Sequence, residues 1–308
     1  MMFRKLVTTF AILGGVSAMV GCMYGENGDL VGTAVQGAGG TGTNNVSPEA
    51  VDKNSLAQGV TDQYGITNSG GGKTDPIQLC IASTITSTGC TMSPQWENWL
   101  NDSKNHGANA DAHGWMFKGV AKCAVEPDFV ISTSDGAHQF PGQWPFFDNW
   151  KTGTLGGQIA HEWMSACILT LLNGNNESLS LCIIGPGGSP FSDACDNPGN
   201  FPVREGGFFG DLFAATPSAY VVGPETAPVD VNGRDCYADV GTYCCDELQS
   251  PCNHHIFRAG SMDGTDSRCN GFAYTGPNNE FEYCTSYWTQ REPGRTYSHG
   301  FTTFIPAN

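Results

Sequence analysis

The chain has 308 residues and a formal net charge of −16, which falls to −18 once the leader residues Arg4 and Lys5 are removed. This acidity, with no basic cluster after the first few residues, argues against nucleic acid or an anionic lipid surface as partner, since both are bound through grouped Lys and Arg side chains. The residues from about 75 onward suffice for one substantial domain with a single core, and two small domains are also compatible with this length.

The first residues have the layout of an export signal. Arg4-Lys5 precede an apolar segment from Leu6 to Val20, and Met19-Val20-Gly21-Cys22 resembles a bacterial lipobox. A charged start, a short apolar core and small residues before the cleavage point are typical of a secretory signal rather than a membrane span. We expect cleavage before Cys22 and lipidation of its side chain; the alternative is an ordinary signal peptide with a chance cysteine. Because Met23 is not the aspartate that retains lipoproteins in the inner membrane, we expect the outer membrane, at its cell-surface or periplasmic face.

A segment rich in Gly, Asn, Ser and Thr follows this leader. Its composition, with Gly70-Gly71-Gly72 near its end, cannot bury enough apolar surface to offset the entropy of ordering. As a Gly-rich coil it would hold the folded part roughly 40 Å from its anchor. The predicted organisation is a signal peptide over residues 1–21, a disordered tether over 22–74 and a globular domain over 75–308.

The cysteines predict a disulfide framework. Thirteen are present, and lipidation of Cys22 leaves an even number, which is typical of bridged domains in exported proteins. No Cys-x-x-Cys pair occurs, so we expect no metal site and no cofactor. The local bridges that we predict are Cys80 with Cys90, Cys182 with Cys195, and Cys269 with Cys284. Four further cysteines have partners that the sequence does not assign: Cys236, Cys244, Cys245 and Cys252.

Three helices and several strands are predicted along the domain. Ser93 and Pro94 favour a helix start, with Trp96, Trp99 and Leu100 on one face. Apolar residues at three- and four-residue spacing predict a second helix over residues 109–123 and a third over 159–172. Strand, turn and strand are predicted over residues 129–140, and a strand over 179–184.

The second and third helices each carry a cysteine on an apolar face. These are Cys123 and Cys167, and we predict that they are bridged. The predicted fold class is therefore α+β: a disulfide-stapled single domain with two or three core helices, a small β-sheet and a loop-rich, cysteine-rich part over residues 229–308.

Several pieces of this sequence, in this order, resemble uncharacterised secreted proteins and lipoproteins of myxobacteria. The resemblance implies a shared fold and a paired role for Cys123 and Cys167, and it carries no activity, substrate or cofactor. The matching pieces are Phe117-Lys-Gly-Val-Ala-Lys-Cys-Ala-Val125, Gln139-Phe-Pro-Gly-Gln-Trp144, Trp163-Met-Ser-Ala-Cys-Ile-Leu169, Glu205-Gly-Gly-Phe-Phe-Gly-Asp-Leu-Phe213 and Cys269-Asn-Gly-Phe272.

Catalytic residues are not identified by any motif. His161-Glu162 opens the third helix, but a zinc-peptidase motif needs a second histidine where Ser165 stands. A carboxylate pair could act as the acid and base of a glycosidase, and the candidates are Glu205, Asp211, Glu162 and Asp135. His106, Asp111 and His113, or His254-His255, are metal-ligand candidates, although we expect solvated loop histidines instead.

The strongest candidate for a binding surface is an aromatic loop. It alternates aromatic residues with Pro, Gly and Asp, and exposed apolar patches mark interaction sites; its residues are Trp144, Phe146, Phe147 and Trp150. The leading hypothesis is a non-catalytic surface protein, anchored in the membrane by lipid on Cys22, that binds a polysaccharide or a protein. The alternative is a surface hydrolase of the glycosidase type that acts through carboxylates.

Overall fold

The structure, a computed structural model, confirms the α+β class within the part of the chain that it describes. The described residues are 23–24, 30–31, 40–47, 50, 62–67, 75–102, 112–172, 179–185, 198–214, 218–222, 255–259, 269–271, 274–275, 280–281, 284–286 and 296–305.

Three α-helices are described in full: α1 (Pro94–Asn101), α2 (Ala112–Ala124) and α3 (Gly157–Thr170). Their positions follow the apolar spacing of the sequence, and α1 begins at its proline. Ser93 precedes α1 in extended backbone geometry, but its hydroxyl donates to the carbonyl of Gln78 at 2.8 Å instead of capping the helix. None of the helices within the described ranges has the length and hydropathy that a membrane crossing requires.

Two predicted disulfides are confirmed. Cys123 in α2 is bonded to Cys167 in α3, and both side chains are fully buried between the helices. Cys80 is bonded to Cys90 and closes a short Ser/Thr-rich loop. Cys182 is also disulfide-bonded, while its predicted partner Cys195 lies outside the described residues.

The remaining cysteine predictions are untested. The strands that contain Cys269 and Cys284 are described, but their side chains are not. Cys22 and the four unassigned cysteines, Cys236, Cys244, Cys245 and Cys252, lie outside the described residues.

The largest sheet in the described part of the chain has six strands. They are β3 (Gly40–Asn44), β7 (Leu179–Ile184), β8 (Val203–Asp211), β9 (Ser218–Val222), β10 (His255–Ala259) and β16 (Gly300–Ile305). Their order in the sheet is β10-β9-β8-β16-β7-β3, in which only β10 and β9 run parallel and the other neighbours are antiparallel. One side of this sheet is covered by α3, which packs against β8, β16 and α2.

Shorter strands complete the fold. A three-stranded sheet pairs β4 (Gly89–Thr91) in parallel with β5 (Val130–Ser132), which pairs antiparallel with β6 (Gln139–Pro141). The predicted strand, turn and strand over 129–140 is thus confirmed. The other short strands are β1 (Met23–Tyr24), β2 (Leu30–Val31), β11 (Cys269–Gly271), β12 (Tyr274–Thr275), β13 (Glu280–Phe281), β14 (Cys284–Ser286) and β15 (Thr296–Tyr297).

The prediction of a disordered tether over residues 22–74 is wrong for residues 40–47. Strand β3 pairs along its length with β7. Val46 is fully buried, and its backbone N–H donates to the carbonyl of Leu171 at 3.0 Å. Ile66 is also fully buried, and its carbonyl accepts a hydrogen bond from the N–H of Ile77 at 2.7 Å. The prediction of disorder considered only the low content of apolar side chains, whereas an edge strand is held largely by backbone hydrogen bonds.

The two resolved disulfides differ in the length of chain that they close, which gives a first prediction. The double variant Cys123→Ala/Cys167→Ala opens a loop with a separation of 44 residues, and Cys80→Ala/Cys90→Ala opens one of 10. In the chain-entropy model these losses lower the free energy of unfolding by about 4 and about 2.7 kcal/mol, respectively. Denaturant titration of both variants measures the difference; an equal or reversed order would contradict it. Each variant removes both partners of one bridge, so neither leaves an unpaired thiol from that bridge.

The inclusion of the N-terminal segment in the core gives a second prediction. Val46→Asp places an unpaired carboxylate at a fully buried position and should lower the free energy of unfolding by about 3 kcal/mol or more. The control is Gln63→Asp, which adds the same charge at an exposed position of the same segment and should change stability by less than about 0.5 kcal/mol. If the two variants are equally stable, residues 40–47 do not belong to the folded domain.

Candidate functional site

The N-terminal part of α3 makes several polar contacts with distant parts of the chain. Gly156 and Gly157 both have positive φ angles, of 84° and 60°, and let the chain turn sharply into the helix. The N–H of Gly157 donates to Oδ1 of Asp75 at 2.8 Å, across 82 residues of sequence. The positive end of a helix favours an anion in this position, because its first N–H groups have no partner within the helix.

His161 lies one turn further along α3 and faces the same carboxylate. Its Nε2 is 3.5 Å from Asp75 Oδ1, and its ring packs at 5.2 Å from the ring of Phe213. The side chain is 12% exposed, against 27% for Asp75. Asp75 therefore fastens the start of the predicted globular domain to the start of its central helix.

Glu162 is the most enclosed carboxylate of this cluster, with 5% of its side chain exposed. Its Oε1 accepts a hydrogen bond from Nε2 of Gln158 at 2.9 Å, and its Oε2 accepts one from Nδ1 of His299 at 2.8 Å. His299 is 26% exposed and stands edge-on to Trp163, with ring centroids 5.4 Å apart. Because Nδ1 donates to the carboxylate, Nε2 carries the lone pair of the neutral ring. A histidine held in this orientation can act as a general base, and the same hydrogen bond can equally serve only to hold the two side chains in place.

Ser165 occupies the position where a zinc peptidase would need its second histidine. Its hydroxyl donates to the carbonyl of His161 at 2.6 Å and accepts from the N–H of Leu212 at 2.8 Å. The residue is fully buried. The bond from Leu212 joins α3 to the residue after β8, and with both bonds made to backbone groups the hydroxyl is not placed as a nucleophile.

Two carboxylates that the sequence suggested for a catalytic pair have structural roles in turns instead. Asp211 is buried, and its Oδ1 accepts from the N–H of Phe213 at 3.1 Å, which supports the turn after β8. Asp135 lies in an exposed turn, where hydrogen bonds from Thr133 and from the Ala137 N–H lower the pKa of its carboxyl. Glu205 lies in β8, and its side chain is outside what the structure describes.

Sequence reasoning missed His299 because 137 residues separate it from Glu162 and no motif spacing links them.

The expectation of an exposed aromatic patch is wrong. The side chains of Trp144, Phe146 and Phe147 are each 3% exposed, and that of Trp150 is 1% exposed. Trp150 donates its indole N–H to the carbonyl of Ile77 at 2.8 Å. Pro145, Asp148 and Asn149 lie between these aromatics in a loop that folds back onto the core, so the rings fill the interior and are not exposed.

This aromatic loop is fastened by Lys151, which lies just after Trp150. Its Nζ is 2.8 Å from Glu126 Oε2, pairs with Asp148 and sits 4.0 Å from the ring centre of Phe129. Burial alone would lower the pKa of Lys151, but the hydrogen bonds and charges of Asp148 and Glu126 raise it overall.

His113, a metal-ligand candidate of the sequence, is buried and stacked on Trp99 with ring centroids 4.0 Å apart. Its Nδ1 is 2.7 Å from the carbonyl of Trp99, near the end of α1, and therefore donates to it. The other candidates, His106, Asp111 and His254, lie outside the described residues. Among the residues that are described, no three His, Cys, Asp or Glu side chains are grouped so that they could hold a metal ion.

Comparisons with known proteins found no relative of this chain. No family model, no curated protein and no solved structure matches the chain. The chemistry of the site has to be judged from its own geometry.

The bond between Glu162 and His299 gives a third prediction. In a double-mutant cycle, Glu162→Gln and His299→Phe should show a coupling energy of about 1–3 kcal/mol, because the pair is largely shielded from water. Denaturant titration of the two single variants and the double variant provides the measurement. As a control, Glu97→Gln replaces a carboxylate that is bound to Ser134 instead, so its coupling with His299→Phe should stay below about 0.5 kcal/mol. A coupling no larger than the control would show that the bond does not hold α3 to β16.

Proposed function

We propose that this is an exported, lipid-anchored protein of the cell surface whose disulfide-stapled domain is a structural or binding module. The observation that carries the proposal is the fully buried Cys123–Cys167 disulfide between α2 and α3. Disulfides of this kind persist in oxidising compartments outside the cytosol. The second bridge, Cys80–Cys90, and the bonded state of Cys182 support the same compartment.

The export signal and the lipobox-like Met19-Val20-Gly21-Cys22 agree with this location. Lipid on Cys22 is the membrane attachment that we propose, and the absence of aspartate at Met23 favours the outer membrane. The resemblance to secreted proteins and lipoproteins of myxobacteria points in the same direction.

A non-catalytic role is supported by the way the polar core residues are used. Asp75 holds the start of α3, and Ser165 holds the end of β8, both through backbone N–H groups. The partner that we propose is a surface polysaccharide or another protein, and the acidic charge of the chain disfavours nucleic acid. The contact surface for that partner is not the aromatic loop, since its rings are buried.

A second candidate is a surface hydrolase, and the pair of Glu162 with His299 favours it. A buried carboxylate that orients a partly exposed histidine is an arrangement that enzymes use for a general base. The candidate has less support because it needs a nucleophile or a second free carboxylate. The hydroxyl of Ser165 is bonded to backbone groups on both sides, and Asp211 supports its own turn.

The anchoring proposal gives the fourth prediction. In a Gram-negative host, the full chain should incorporate labelled palmitate and sediment with the outer membrane, whereas Cys22→Ser should lose the label and remain uncleaved, because the lipid is added at that thiol before cleavage. The control Met23→Asp keeps the thiol, so it should stay labelled and move to the inner membrane. Labelled wild-type protein in the inner membrane would contradict the outer-membrane proposal, and unlabelled wild-type protein would contradict anchoring altogether.

The hydrolase candidate is tested with the same purified protein. If the protein hydrolyses surface polysaccharide, and if Glu162→Gln abolishes that activity while the variant stays folded, the second candidate replaces the first.

A further inference from the structure

Lys122 is a buried amine that neither proposed function uses. It lies in α2 and is 5% exposed. Its Nζ is 2.7 Å from Oε1 of Gln143, 3.0 Å from the carbonyl of Thr43 and 3.5 Å from the hydroxyl of Thr43. All of these acceptors are uncharged oxygens. Burial, followed by the positive charge of Lys118, lowers the pKa of Lys122 to about 8.

The side chain of Gln143 is held in an unusual way. Its Oε1 accepts from Lys122 Nζ, from the N–H of Thr43 at 3.2 Å and from the hydroxyl of Thr43 at 3.4 Å. Its Nε2 is buried and has no hydrogen-bond partner. The amide oxygen is therefore surrounded by donors, while the amide nitrogen makes no bond that would hold it in place.

The backbone keeps the two side chains together. The N–H of Gln143 is 3.1 Å from the carbonyl of Lys122 and 2.9 Å from that of Val125. Gly42 in β3 leaves room for the amide, because a Cβ at Gly42 would lie 2.1 Å from Gln143 Nε2. Strand β3, α2 and the loop after β6 thus meet at this one point.

We propose that Lys122 and Gln143 form an intramolecular isopeptide bond in the folded protein. The lone pair of the neutral Nζ attacks Cδ of Gln143, and a bond between Nζ and Cδ forms as the bond between Cδ and Nε2 breaks. A proton of Nζ passes to Nε2, which leaves as ammonia. The reaction needs no oxidant, no nucleotide and no other reactant, so its atoms and electrons balance within the pair.

Three features of the site bear on this attack. Nζ is 2.7 Å from Oε1 and the carbonyl bond is about 1.23 Å long, so Nζ lies within about 4 Å of Cδ; it has to leave its hydrogen bond with Oε1 to approach Cδ at about 3–3.5 Å. The two donors of Thr43 point at the oxygen on which negative charge develops. The lowered pKa of Lys122 makes the nucleophilic neutral amine accessible near neutral pH.

The bond would have a clear structural consequence. It would join α2 to the loop after β6, as the Cys123–Cys167 bridge joins α2 to α3. Unlike a disulfide, an amide bond is not opened by thiols. The inference does not depend on the lipid anchor or on the identity of the surface partner.

Tryptic mapping of the full-length protein, after reduction and alkylation, tests the proposal directly. Trypsin does not cut after an acylated lysine, and the next basic residue after Lys122 is Lys151. The cross-linked protein should therefore yield one peptide over residues 119–151 that is about 17 Da lighter than its sequence, the mass of one ammonia molecule. Recovery of peptides 119–122 and 123–151 at their full sequence masses, from protein held at pH 9 as well as pH 7, would overturn the proposal.

Two variants complete the test. Lys122→Arg keeps the charge and the hydrogen-bond donors but supplies a guanidinium that does not attack the amide, so both peptides should appear at full mass. Lys118→Arg makes the same substitution one turn away and should leave the lighter 119–151 peptide unchanged. Persistence of the mass loss in Lys122→Arg would place the lost ammonia elsewhere and would also overturn the proposal.

Discussion

The Cys123–Cys167 disulfide and the helix that carries Cys167 organise the described fold. Helix α3 is buried on nearly every side, since it packs on α2 through the disulfide and on β8 and β16 across the sheet. A helix in this position has little freedom to shift, because closely packed interiors tolerate few voids. The other described elements take their positions relative to it: β8 through Ser165, β16 through His299 and the N-terminal segment through Asp75.

The six-stranded sheet brings together distant parts of the chain. Strand β7 lies between β3, from before the predicted domain, and β16, from the end of the chain. These pairings close long loops, so they form late and slowly in comparison with local contacts. The disulfides between nearer residues offset part of this entropy by restricting the unfolded chain. Residues 40–47 and 300–305 therefore contribute to the same sheet and core.

Most of the polar groups described above form hydrogen bonds or ion pairs that hold neighbouring elements together. Asp75 and Ser165 satisfy backbone N–H groups, and Lys151 holds the aromatic loop through Glu126 and Asp148. Buried polar groups are tolerated when each has a partner, and such bonds specify one arrangement of the core. Lys122 differs, because its acceptors are neutral and its neighbour Gln143 has an amide nitrogen without a partner. This arrangement is the basis of the isopeptide bond that we propose for the pair.

The amino-acid sequence alone predicts the fold class, the three described helices, the strand over 179–184 and the bridges Cys123–Cys167 and Cys80–Cys90. These features depend on local apolar spacing, on turn residues and on where the cysteines lie in the predicted elements, which are visible within short stretches. Contacts between distant parts of the fold make Gly40–Asn44 a strand, place β16 inside the sheet and bury Trp144 and Trp150. They also bring His299 to Glu162 and Gln143 to Lys122. Backbone pairing between distant segments requires no distinctive side chain, and burial depends on what packs over a loop, so neither leaves a periodic signal in the sequence.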